Sequence, residues 1–124
     1  MARILVAEDE PDIRELVAFI LRFAGYEVNT AVNGEEAIQL ATQSIPDLIL
    51  LDVRMPRMSG YDVCRALKAN TVVKDVPIVF LSAKGQVREI MAGIEVGAEE
   101  YLLKPFAPDQ LTERVRAILS KYGK

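Results

Sequence analysis

The chain has 124 residues, 51% of them hydrophobic and 27% charged, which is ordinary globular composition at the size of one compact domain. Its 15 basic and 18 acidic residues leave a net charge of −3 with no lysine or arginine run, so a basic nucleic-acid footprint is excluded. Histidine is absent, which removes an imidazole general base, a Ser-His-Asp triad and any His-ligated metal.

Met1-Ala2-Arg3 leads into the apolar run Ile4–Ala7, too short for a signal peptide or a membrane span, and a cytoplasmic location is the expectation. After it, Ile13, Leu16, Val17, Ile20, Leu21 and Ala24 repeat at three and four, with Pro11 near the start and Gly25 past the end, which predicts a helix. A weaker run, Glu27–Ala31, is the second strand. Asn33 and Glu36 form a capping pair for a second helix through about Gln43. Leu48–Leu51 is the third strand, and a third helix is expected from Ser59 to about Ala69. That helix contains the single cysteine, Cys64, which excludes an internal disulfide and reads as a half-buried, unreactive thiol. Ile78–Leu81 is the fourth strand, a fourth helix spans about 86–96, Tyr101–Leu103 is the fifth strand, and a last helix covers about 108–121.

Five strands alternating with five helices predict an α/β fold, a doubly wound five-stranded parallel sheet of order 2-1-3-4-5 in the flavodoxin-like (βα)5 arrangement. Three of the runs are apolar without alternation, as strands covered on both faces must be. In such a sheet ligands bind outside the carboxyl ends of the strands. There the first run ends in Glu8-Asp9, the third in Asp52, the fourth in Ser82 and the fifth in Lys104. Three carboxylates brought close together need protons or a cation, and an oxygen-only donor set suits Mg2+ or Mn2+. Two charges from the metal and one from Lys104 balance the three carboxylates. Asp52 is thereby left ionised as a nucleophile, with Ser82 and Lys104 around an incoming phosphoryl group.

These residues resemble, over essentially the whole chain, the receiver domain of two-component response regulators. The matched set is Glu8-Asp9, Asp52 before Met55-Pro56 and Gly60, Ser82-Ala83, and Gly97 through Phe106 with its Lys104-Pro105. The resemblance makes 1–124 one receiver domain. It implies that Asp52 accepts a phosphoryl group from a histidine kinase or histidine phosphotransfer protein. It gives Asp9 to Mg2+ directly, Glu8 through water, and the Arg54 backbone carbonyl as the further protein ligand. Glu8 stands where aspartate is more usual, one methylene longer. Ser82 and Lys104 would hold the phosphoryl oxygens, and Lys104-Pro105 would be cis. By the same resemblance, Ser82 moves to the new phosphoryl group and Tyr101 turns into the space it leaves. The face of the fourth helix, fifth strand and fifth helix then changes toward a downstream target protein or effector domain. No direct nucleic-acid or membrane contact is expected.

Glu99, Glu100, Arg114 and Arg116 resemble the salt-bridge residues of receivers that dimerise, although Ala92 and Gln110 stand where a third pair is usual. Solvated charge is the favoured reading of them, because exposed ion pairs contribute little individually, so a phosphorylation-dependent homodimer is allowed and not predicted. Arg54 and Lys84, two residues past Asp52 and Ser82, occupy positions that tune the lifetime of an aspartyl phosphate in receivers.

Three other readings compete for these residues. A haloacid-dehalogenase-type phosphatase needs an acid two residues after its nucleophile, where this chain has Arg54. Flavodoxin-like electron transfer needs a phosphate loop after the first strand, where Glu8-Asp9-Glu10 repel an anion. A phosphorylation-independent interaction module on the same fold remains the alternative, although the acidic pair, aspartate and lysine are all retained.

Overall fold

In the computed structural model, which describes residues 2–82, 91–92, 94–104 and 106–124, the apolar runs become five parallel strands. β1 (Arg3–Ala7), β2 (Glu27–Ala31), β3 (Leu48–Asp52), β4 (Ile78–Ser82) and β5 (Glu100–Leu103) lie in the order β2-β1-β3-β4-β5, as the sequence predicts. The uninterrupted runs are the inner strands: β3 and β4 are buried at every position, and β1 from Ile4 onward. The weak run Glu27–Ala31 and the short Glu100–Leu103 take the two edges, where part of each strand faces solvent. An edge strand is covered less, so it carries fewer apolar residues and reads faintly in sequence.

Four helices are complete among the described residues: α1 (Pro11–Phe23), α2 (Gly34–Gln43), α3 (Gly60–Lys68) and the C-terminal helix (Pro108–Lys121). Of the helix predicted over 86–96, residues 91–92 and 94–95 are helical and the rest of 86–93 lies outside the described residues. Its end is marked by Val96 N–H donating to Ala92 O at 3.2 Å and Gly97 N–H to Ile94 O at 3.0 Å. Local chemistry sets the other ends. Pro11 occupies the first turn of α1, and Gly25 follows it at φ +100°, a conformation that suits glycine. Asn33 caps α2 by accepting from Glu36 N–H at 2.8 Å. The return bond differs from the expected capping pair: Glu36 Oε1 accepts from Val32 N–H instead, also at 2.8 Å. Ser59 and Asp62 form a full capping box at the start of α3.

Successive strand residues point to opposite faces, which splits the core in two. Ile4, Val6, Leu48, Leu50, Val79, Leu81 and Leu102 meet α1 and the C-terminal helix. Leu5, Ala7, Ile49, Leu51, Ile78 and Phe80 meet α2 and α3, with Cys64 among them. Cys64 is fully buried rather than half-buried, its Sγ donates to Val96 O at 3.4 Å, and burial pushes the thiol up to about 11. Among the described residues, no helix is long and apolar enough to cross a membrane.

Candidate functional site

The parallel register decides what gathers at the carboxyl edge. Ala7 pairs with Leu51 and Asp52 with Leu81, so Glu8 stands level with Asp52. Ser82, one row further, pairs with Leu103, which puts Lys104 two rows beyond Asp52. At ~3.3 Å per residue the gap is roughly 7 Å, within reach of a lysine stem. The ladder continues past the strands: Glu8 N–H donates to Ala31 O (3.1 Å), Val53 N–H to Leu81 O (3.1 Å) and Lys104 N–H to Ser82 O (2.7 Å). Each connection is therefore fixed by a neighbour where its functional side chain begins.

Lys104 reaches back as this predicts. Its Nζ lies 2.7 Å from Glu8 Oε1 and 3.2 Å from Asp52 Oδ1. Glu8 is fully buried, Asp52 is 6% exposed, and Asp9 beside them faces solvent in part. Burial raises the Glu8 carboxyl to about 7, helped by the Asp52 charge and opposed by the bond from Lys104. Asp52 is also raised, again chiefly by burial, while Lys104 and a hydrogen bond with Glu8 pull the other way. For the Lys104 ammonium, burial works downward, but the bond to Glu8 and the Asp52 charge outweigh it and the group is raised. One cation is thus too little for the buried carboxylates, which hold protons more tightly than free ones.

A divalent ion fits that imbalance. Glu8, Asp9 and Asp52 each offer a carboxylate oxygen, and these oxygens lie within 4.8 Å of one another. The donors are all hard oxygens, as Mg2+ requires. The Arg54 side chain points outward into solvent, with the buried Val53 and Met55 on either side of it.

Side chains from the rows on either side of Asp52 gather on the opposite face of the sheet. Ser82 shares its parity with Ile78 and Phe80 and is 3% exposed. Tyr101, half-buried, packs against Phe80 with ring centres 5.8 Å apart. Tyr61, which the sequence did not single out, completes the group: its ring meets Phe80 edge-on at 5.1 Å, and its hydroxyl lies 3.1 Å from that of Tyr101. Tyr61 follows Gly60, the position where α3 touches the loop after Asp52. Gly60 N–H donates to Val53 O at 2.9 Å, and a Cβ on Gly60 would stand 2.2 Å from Asp52 O. The second residue missed in sequence is Arg14, whose Nη1 donates to Glu8 O (3.0 Å) and Asp9 O (3.4 Å). An arginine five residues past an aspartate carries no pattern of its own.

The charged residues near β5 are engaged within the chain. Glu99 accepts from Lys68 Nζ at 2.8 Å and from Ile78 N–H at 2.6 Å, and both ion-pair side chains are about four-fifths buried. It is an internal tether rather than solvated charge. Glu100 pairs with Arg114, and Arg116 with Glu113 one turn back on the same helix. Ala92 is half-buried and Gln110 exposed. Lys84 and the Lys104-Pro105 bond fall outside the described residues.

A strand-end aspartate flanked by an acidic pair, a hydroxyl and a lysine on a 2-1-3-4-5 sheet is the arrangement this chain presents at its carboxyl edge. The response regulator receiver domain model matches residues 4–116, and the chain belongs to that family, the signalling switches of two-component systems. Among sequences, it is similar to the DNA-binding dual master transcriptional regulator RpaA of Synechocystis sp., 41% identical over 121 residues, 98% of this chain and 50% of that protein. The chain spans about half the length of the curated relatives it matches. Among solved structures, chemotaxis protein CheY4 of Vibrio cholerae is 36% identical with a TM-score of 0.92, covering 95% of this chain and 98% of that one. Response regulator TrrA of Thermotoga maritima, solved in complex with Mg(2+)-BeF, is 40% identical with a TM-score of 0.85, covering 95% and 99%.

Proposed function

We propose that this chain, as one domain over 1–124, is a switch whose Asp52 takes a phosphoryl group from the phosphohistidine of a sensor kinase or histidine phosphotransfer protein. The observation that carries the reading is the Lys104 ammonium lodged between the Glu8 and Asp52 carboxylates at the strand ends. Asp9 and Asp52 would hold Mg2+ directly and Glu8 through water, with the Arg54 carbonyl as a further ligand, and Mn2+ would substitute. The bound ion supplies the positive charge that lets the carboxylates and the phosphoryl oxygens share one site.

An Asp52 carboxylate oxygen attacks phosphorus; the new O–P bond forms as the P–N bond to the donor imidazole breaks, and the imidazole keeps that electron pair. Lys104 shifts from the carboxylates to a phosphoryl oxygen, and the Ser82 hydroxyl donates to another. Hydrolysis returns the carboxylate when water attacks the same phosphorus. The chain thus assists its own phosphorylation and dephosphorylation without turning over a free substrate, and Arg54 and Lys84 set the lifetime between the two.

The modification adds about two negative charges and three acceptor oxygens. Ser82 moves toward them, Tyr101 rotates into the space, and the face of β5, the C-terminal helix and the 86–96 segment changes for a downstream protein or attached effector domain. Relatives twice as long, one of them named a DNA-binding regulator, support an attached effector. This chain, with its net charge of −3, contacts neither nucleic acid nor membrane and works in the cytoplasm. A homodimer of the phosphorylated form would have to release Glu100 from Arg114 first.

Incubation with acetyl phosphate and Mg2+, followed by intact mass and peptide mapping, tests the reading. One adduct at Asp52, absent in EDTA and in Asp52→Asn, is the expected result. No adduct under conditions that label CheY4 of Vibrio cholerae would make the chain a phosphorylation-independent interaction module.

A further inference from the structure

Arg14 gathers the whole connection between β1 and α1. Its own N–H donates to Glu10 O at 2.9 Å, the first bond of α1, while its Nη1 donates to Glu8 O at 3.0 Å and to Asp9 O at 3.4 Å. Three consecutive carbonyls of an acidic triplet are therefore tied to one residue. Like charges in a row push Glu8, Asp9 and Glu10 apart, and a backbone rotation that separates them breaks a bond to Arg14. These bonds go to backbone oxygens, so the guanidinium charge sits behind the loop. Arg14 takes none of the carboxylate oxygens: Glu8 Oε1 meets Lys104 Nζ at 2.7 Å, Glu8 Oε2 accepts from Glu10 N–H at 3.3 Å, and both stay on the side of the loop that faces Asp52. A guanidinium suits this task because its planar N–H groups have fixed directions, whereas an ammonium is a single compact point.

We propose that Arg14 is a positioning residue for the divalent cation, holding the Glu8-Asp9 backbone so that both carboxylates face one ion, Asp9 directly and Glu8 through water. It touches neither the cation nor the phosphoryl group and acts through the loop. The proposal rests on the reading that Glu8 and Asp9 hold Mg2+. Partners that orient metal ligands typically change metal affinity by ~10–100-fold when removed, and that is the effect expected here.

Mg2+ titration of the full chain by calorimetry, compared across wild type, Arg14→Met, Arg14→Lys and Asp9→Asn, reads this directly. Arg14→Met keeps the aliphatic stem and drops the bonds, and its Mg2+ Kd rises ~10–100-fold. Arg14→Lys, with charge but no fork, falls between it and wild type. Labelling by acetyl phosphate in Arg14→Met then needs more Mg2+ but reaches the wild-type rate at saturation, whereas Asp9→Asn does not recover. Hydrogen exchange at the Asp9 and Glu10 amides quickens in Arg14→Met, and thermal unfolding reports whether the variant is folded. If it is not, Arg14→Gln takes its place with the same expected weakening. Wild-type Mg2+ affinity in a folded Arg14→Met, with Asp9→Asn weakened, overturns the role of Arg14 and leaves the metal reading standing. Wild-type affinity in Asp9→Asn as well overturns both.

Discussion

The two faces of the sheet's carboxyl edge, a few ångströms apart, are held together differently. On the α1 side, Glu8, Asp52 and Lys104 stand in a charge balance that one proton or one cation alters. On the α3 side, Tyr61, Phe80 and Tyr101 are held by ring packing and a pair of hydroxyls. The first region responds to solution chemistry, and the second changes only by rotation of a side chain. Gly60 joins them, because α3 begins against the Asp52 backbone and continues into Tyr61. A switch needs both kinds of region, one to register charge and one to change shape.

Breaking the charged side gives the largest effect. Lys104→Met keeps the stem and removes the ammonium, leaving buried carboxylates with no cation, and costs about 3 kcal/mol or more in metal-free protein at pH 8. Urea unfolding measures it; the cost shrinks toward pH 5, where Glu8 is neutral. In wild type without metal, Glu8 has a folded value of about 7 against an ordinary value of 4.5. A raised carboxyl adds stability that is complete below 4.5 and lost as pH rises through 7. The metal-free chain should therefore lose on the order of 3 kcal/mol between pH 4.5 and pH 8 from this group, and saturating Mg2+ should recover it. Equal urea midpoints at the two pH values in EDTA would contradict the burial of Glu8 as a cause.

The joint between the regions comes next. Gly60→Ala places a methyl group against the Asp52 carbonyl and costs ~1–3 kcal/mol, slowing acetyl phosphate labelling at the same time because the loop must shift. The smallest effect sharpens the contrast. Tyr61→Phe removes one hydroxyl from the pair with Tyr101 and costs ~1 kcal/mol, with labelling of Asp52 unchanged. A slowed labelling rate in Tyr61→Phe would show that the aromatic side is not separate from the chemistry.

What the sequence discloses follows the range of the forces involved. The buried strands and their polar last residues are local patterns, so Glu8, Asp9, Asp52, Ser82 and Lys104 are legible in the order of residues alone, and the register brings them to one edge. Arg14 and Tyr61 are not legible. One acts through backbone carbonyls, which leave no trace in residue type, and the other through a hydroxyl 40 positions away. Glu99 reads as surface charge for a similar reason, since its partners come from distant elements, Ile78 from β4 and Lys68 from the end of α3.

The most direct measurement is a crystal structure of the chain grown with Mg2+. The account predicts one ion between Glu8, Asp9 and Asp52, with Lys104 still beside Asp52. Carboxylates that diverge around an empty centre, with the Lys104 amine bonded elsewhere, would contradict it.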